Sequence, residues 1–169
     1  MAKKDKKEEK TGGNLPAWIG NHPFPPDKKR PTLITRDMEL STVYGVGPHR
    51  VAPRIYVSTD KILMSDFKVP PGGHFEPPDI HVADEPYYIA KGTLTLVNPE
   101  TGQTMVVKAG EAAWIPAKAW HMAYNFGLEE CVVVAMIAGQ VWDPEGMGSS
   151  VEFTGEAQYL NSKKGAARV

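Results

Sequence analysis

The chain has 169 residues, 41% of them apolar, enough for one folded core and too short to accommodate a second. Its net charge of −1 conceals basic ends on an acidic body: residues 36–160 carry eight Lys/Arg against sixteen Asp/Glu, a net of −8, which argues against a nucleic-acid groove. No window reaches the ~18 apolar residues that span a bilayer, and the single cysteine, Cys131, excludes an internal disulfide and suits a reducing compartment, so the expected location is the cytoplasm.

Residues 1–13 read as a disordered basic tail: the first ten hold five Lys against three acids, with no apolar stretch of the kind a secretory signal needs. Residues 14–31 form an arm with Pro16, Pro23, Pro25, Pro26 and Pro31, which forbid a helix interior or a central strand. The same arm carries Trp18, Ile19 and Phe24, so it is expected to lie against something apolar, either its own domain or a partner subunit. Residues 32–160 then read as one domain of strands and turns, with short runs of Val, Ile, Tyr and Thr between Gly, Pro and Asn punctuation. Strands are predicted at 32–35, 42–46, 54–58, 62–69, 86–90, 93–98, 104–108, 112–115, 121–125, 131–137 and 150–153. Asn98-Pro99-Glu100-Thr101-Gly102 joins two alternating runs as a hairpin. Residues 161–169 form a flexible basic tail with Lys163, Lys164 and Arg168. No stretch shows sustained helical periodicity, and many short strands without helices mean an all-β sandwich or barrel.

Two segments carry the chemistry. The first runs Gly73, five residues, Asp79-Ile80-His81, three residues, Glu85, six residues, Gly92. The second runs Gly110, five residues, Pro116, one residue, Lys118, two residues, His121, three residues, Asn125. Together they resemble the paired signature of the cupin superfamily: G, five residues, H-x-H, three or four, E, six, G; then G, five, P-x-G, two, H, three, N. The resemblance covers residues 69–137. It implies a cupin-type double-stranded β-helix, or jelly-roll barrel, with a divalent transition metal inside and pairing of two chains into a homodimer. Asp79 stands where the family places the first histidine, and Lys118 where it places a glycine, the latter a turn substitution. Some members of the family bind mononuclear iron through only the positions matching His81, Glu85 and His121, so losing the first histidine does not abolish a metal site. The rival is a barrel that has lost its metal, with Asp79 as the mark of the loss.

The residues support the same site on their own. Positions 79, 81 and 85 share parity, so on a strand they face one side, and His121 would join them from a neighbouring strand. Two imidazoles and a carboxylate make the 2-His-1-carboxylate arrangement, which leaves positions open for substrate or dioxygen. Asp79 is then either a fourth ligand or an acceptor that sets the His81 tautomer. Parity with Glu85 points Tyr87 into the cavity and Tyr88 away. Parity with His121 points Ala123 and Asn125 inward, and Trp120, Met122 and Tyr124 outward. Tyr87 is the candidate catalytic phenol. Tyr87, Asn125 and Arg54 are the candidate substrate contacts, Arg54 as a fork for an anion, with a plain surface position as its alternative. His74 and Glu76 lie in a Pro/Gly-rich rim turn, and His22 and His49 receive no role.

These features imply a metal-dependent enzyme acting on a small organic molecule. Iron would mean an oxygenase or dioxygenase. Manganese, zinc or nickel would mean lyase, decarboxylase or isomerase chemistry. A non-catalytic small-ligand-binding barrel is the alternative from another class. No nucleic-acid or membrane partner is expected.

Overall fold

The computed structural model describes residues 22–23, 27, 29–41, 49–76 and 78–138. The predicted strands at 42–46 and 150–153, both basic tails and the arm residues Trp18, Ile19 and Phe24 lie outside the described residues.

Among the described residues nine strands form and no helix does, so no helix there is long and apolar enough to cross a membrane. The strands are β1 (Leu40–Ser41), β2 (Arg54–Ser58), β3 (Ile62–Val69), β4 (Glu85–Lys91), β5 (Thr93–Val97), β6 (Thr104–Lys108), β7 (Ala112–Ile115), β8 (Met122–Tyr124) and β9 (Cys131–Ala138). They build two antiparallel sheets, ordered β1-β2-β3-β9-β4-β7 and β6-β5-β8. The reason is visible in β9, whose CVVVAMIA run buries every second residue, and in β5, whose TLTLV does the same with Leu94 and Leu96. The inward residues of both sheets meet in one core, where Val69, Ile89, Leu94, Ala123, Cys131 and Val133 are fully buried. Each large aliphatic side chain sealed there contributes about 1.5–3 kcal/mol.

Two corners set the site. The β5–β6 hairpin forms as predicted, its turn held by Asn98 Oδ1, which accepts the N–H groups of Glu100 at 2.9 Å and Thr101 at 3.1 Å. Gly92, between β4 and β5, has φ +77, and a Cβ there would stand 2.9 Å from the Glu130 carbonyl, so only glycine lets the chain pass from one sheet to the other. Residues before and after Pro77 also pair antiparallel with the β8 side of the smaller sheet. Gly72 N–H donates to the Asn125 carbonyl at 2.8 Å, Asn125 N–H to the Gly73 carbonyl at 2.8 Å, and Asp79 and His121 exchange bonds of 2.8 and 2.9 Å. His74 pairs with Tyr124, and Asp79 with His121, as two separate antiparallel bridges.

Residues 32–35 are not a strand. Among the described residues they pair with no strand, and Leu33 is 81% exposed, so β-propensity there has no surface to pack on. Of the proline-rich arm, His22 lies on the chain's own barrel: it is buried and bridged to Ser58 by bonds of 2.8 and 2.9 Å.

Candidate metal centre

Asp79, His81, Glu85 and His121 converge on the inner wall. His121 Nε2 stands 3.1 Å from Glu85 Oε2. His81 Nε2 stands 3.3 Å from the same oxygen and 3.4 Å from Asp79 Oδ2. The donor atoms of Asp79, His81 and His121 all lie within 4.8 Å of one another. Ligands held 2.0–2.2 Å from a shared ion are about 3–3.5 Å apart, and the observed separations match that spacing.

The convergence does not come from a shared strand. Glu85 opens β4 and points inward by alternation, but residues 80–84 are not a strand. Pro78 precedes Asp79, and proline supplies no ladder donor, so main-chain bonds from elsewhere place the two residues instead. Asp79 is bridged to His121, while the Lys118 N–H donates to the His81 carbonyl at 2.7 Å. Asp84 adds a tie, its Oδ1 accepting the Ala117 N–H at 2.9 Å. The two motifs therefore hold each other through backbone. Asp84 was not singled out in the sequence, and its position beside Glu85 is the only local signal for it.

Burial and charge make the cluster suited to a cation. Glu85 Oε2 and His121 Nε2 are both sealed from solvent and neither makes a hydrogen bond. His121 Nδ1 lies 3.2 Å from the Ala119 carbonyl, which orients the ring so that Nε2 faces Glu85. Burial pushes the His81 imidazole down, but the carboxylates of Asp79 and Glu85 outweigh it and raise its pKa to about 10. Burial pushes the Glu85 carboxyl up, yet His121 and His81 outweigh it and hold it at about 2. Two buried unpartnered atoms facing each other, with a second carboxylate alongside, fit a divalent ion.

The other sequence candidates take distinct places. Tyr87 is buried on the same wall, its ring edge-on to His121 at 5.9 Å and to Phe67 at 5.6 Å, while Tyr88 is exposed on the outer face. Phe67 and Phe75, which pack around these rings, carry no signal in the sequence beyond apolarity. Asn125 is fully buried, and its amide serves the backbone. Nδ2 donates to the carbonyls of Val69 at 2.8 Å and Glu129 at 2.7 Å, and Oδ1 accepts the Gly127 N–H at 2.9 Å. Arg54 forks onto buried Asp66, with Nε 2.7 Å from Oδ1 and Nη2 on Oδ2, and Tyr56 Oη donates to Oδ2 at 2.8 Å. A cavity of about 50 Å³ opens beside the centre, lined by Leu96, Met105, Ile115, Ala119, Trp120 and His121.

Residues 65–137 match the family model of the cupin domain, so this segment of the chain is a cupin domain. No match was found among curated proteins. Among solved structures the chain is similar to the polyketide cyclase RemF from Streptomyces resistomycificus, with 22% identity and a TM-score of 0.55 over 64% of this chain and 80% of that one. It is also similar to a protein from Thermotoga maritima described as a predicted oxalate decarboxylase, with 19% identity and a TM-score of 0.55 over 64% of this chain and 99% of that one. A conserved protein with a double-stranded β-helix domain from Klebsiella pneumoniae shares 17% identity, with a TM-score of 0.51 over 57% of this chain and 84% of that one. At these identities the likeness establishes the all-β double-stranded β-helix fold and no activity.

Proposed function

We propose that the chain is a metal-dependent enzyme acting on a small organic molecule, with a 2-His-1-carboxylate centre of His81, Glu85 and His121 and oxygenase chemistry. The observation that carries this reading is the pair of buried, unpartnered atoms, Glu85 Oε2 and His121 Nε2, 3.1 Å apart. Iron held by these three side chains would supply open positions for substrate and dioxygen. The chain's own residues do the rest. The Ala119 carbonyl orients the His121 ring, and Asp79 and Glu85 orient His81. Phe67, Phe75 and Tyr87 exclude water from the inner wall. The Tyr87 phenol is the proposed proton donor or acceptor for the substrate. The cavity of about 50 Å³ beside His121, with an apolar flank of Leu96 and Ile115, is the proposed seat of the substrate.

One observation favours a second reading of the same centre. Asp79 Oδ2, 3.4 Å from His81 Nε2, adds a second carboxylate, and a set of two nitrogens and two oxygens suits manganese or zinc as well as iron. Lyase, decarboxylase or isomerase chemistry would follow. The proposal extends to a homodimer in the cytoplasm. Tyr88 at 44% and Trp114 at 65% exposure give the outer face of the larger sheet an apolar surface for a second copy.

The test is elemental analysis of tag-free protein, followed by oxygen consumption with small organic acids. Near-stoichiometric iron in the parent and its loss in His121→Ala are expected. Manganese or zinc without oxygen uptake would move the assignment to the second reading. No uptake of any metal on reconstitution would leave a ligand-binding barrel.

A further inference from the structure

We propose that His49, His74 and Glu76 form a second divalent-cation site, of the zinc type, on the outer face of the smaller sheet. The cluster is separate from the centre described above because the strand alternation turns it away. Phe75 is buried with its ring 6.2 Å from that of His121, so His74 and Glu76, on either side of it, point out of the barrel. His74 pairs with Tyr124, which lies at odd parity to His121 on β8, and the two rings stack at 5.0 Å.

The site is built rather than merely acidic. His74 is stacked on Tyr124 and also on His49, the latter at 3.9 Å with 28° between the planes, and Phe126 backs Tyr124 at 5.4 Å. His49 Nε2 and His74 Nε2 stand 3.8 and 3.7 Å from one oxygen, Glu76 Oε2. Those distances are longer than a hydrogen bond. They are close to the about 3.4 Å edge of a tetrahedron whose bonds to zinc are 2.0–2.1 Å. All three donor atoms lie within 4.8 Å of one another. Two imidazoles and one carboxylate are a zinc donor set with one position left for water. The side chains are 20–47% exposed, so an ion can enter from solvent. A cation there ties His49 to Glu76, three residues before Asp79.

The test is competition titration of tag-free protein with Zn²⁺ against a chromophoric chelator, comparing the parent with His49→Ala/His74→Ala. The double variant is expected to take up one equivalent fewer per chain. Whatever the buried centre binds is common to both proteins and cancels, so the result stands apart from the function proposed above. Circular dichroism verifies that the variant keeps the sheet signal. Glu76→Gln, which leaves the ring stack in place, is expected to weaken the same equivalent by more than about tenfold. Equal uptake by parent and double variant would overturn the site.

Discussion

His121 Nε2 and Glu85 Oε2 stand 3.1 Å apart, both sealed from solvent, with His81 Nε2 completing a triangle 3.3 Å from the same carboxylate oxygen. In the metal-free protein this geometry favours a charged His81 and a charged Glu85, and both have consequences with pH. The His81 pKa is raised to about 10 from 6.5, so its contribution to stability is complete below about 6.5 and is lost as pH rises through 10. The Glu85 pKa is lowered to about 2 from 4.5, so its contribution is present above 4.5 and is lost as pH falls through 2. Through these two groups the metal-free protein is expected to be most stable between pH 4.5 and 6.5, read as the urea midpoint. A metal must displace the His81 proton, so apparent affinity should rise about tenfold per pH unit between 6.5 and 10. A pH-independent affinity in a chelator competition would show that His81 does not bind the ion.

Asp79 touches the centre through one oxygen only. Its Oδ2 faces His81 at 3.4 Å, while Oδ1 accepts the N–H of Ile80 at 2.8 Å. Its bridge to His121 is entirely main chain. Asp79→Asn should therefore keep the fold and the position of His121, and weaken metal binding by about 10–100-fold. Removing one of the two carboxylates that raise the His81 pKa should also lower it, which histidine proton resonances would report in the metal-free protein. An unchanged His81 titration would remove Asp79 from the site.

The alternation of apolar and polar residues made β4 to β9 legible, and with them the opposite placement of Tyr87 and Tyr88 and the inward run His121, Ala123, Asn125. A period of two is a local property of a half-buried strand, so one sequence is enough to read it. The approach of Asp79 and His81 to His121 was legible as spacing but not as geometry. It rests on main-chain bonds to residues about 40 positions away, which leave no local pattern. The Arg54–Asp66 pair depends on the β2–β3 register, and a bulge between Ile55 and Val57 shifts that register beyond reach of alternation. The stack of His49 on His74 is tertiary and equally silent in sequence. At 32–35 the propensity was strand-like, but strands are completed by neighbours, and none of the described residues pairs there.

Arg54 is engaged inside the fold. Asp66 is 8% exposed at its side chain and is neutralised by the Arg54 fork, with Tyr56 as the remaining donor. Arg54→Met would leave that carboxylate buried with one neutral partner. Breaking a buried pair costs about 3–5 kcal/mol. Arg54 is 33% exposed, and water can partly replace it, so a loss of about 2–3 kcal/mol in chemical denaturation is expected. Metal content should not change, because Arg54 belongs to β2 and the ligands do not. A stable variant with a raised KM for an anionic substrate would return Arg54 to substrate binding.

Lys118 adopts φ +66, a left-handed conformation at the position where the family motif has glycine. For a residue with a Cβ this costs about 1–2 kcal/mol. Glycine would relieve that strain and lose about 0.5–1 kcal/mol to its greater freedom in the unfolded chain. Lys118→Gly is therefore expected to stabilise the fold by about 0.5–1 kcal/mol, measured as a shift of the urea midpoint at constant m. The same residue holds the His81 carbonyl through its N–H at 2.7 Å, so the turn and the metal centre are mechanically joined. A β-branched residue tolerates this conformation least. Lys118→Val should therefore lower stability and also weaken metal binding by pulling His81 away from Glu85. Loss of stability with unaltered metal affinity would mean that His81 is placed by its carboxylate partners alone, and that the backbone bond to Lys118 follows from that placement.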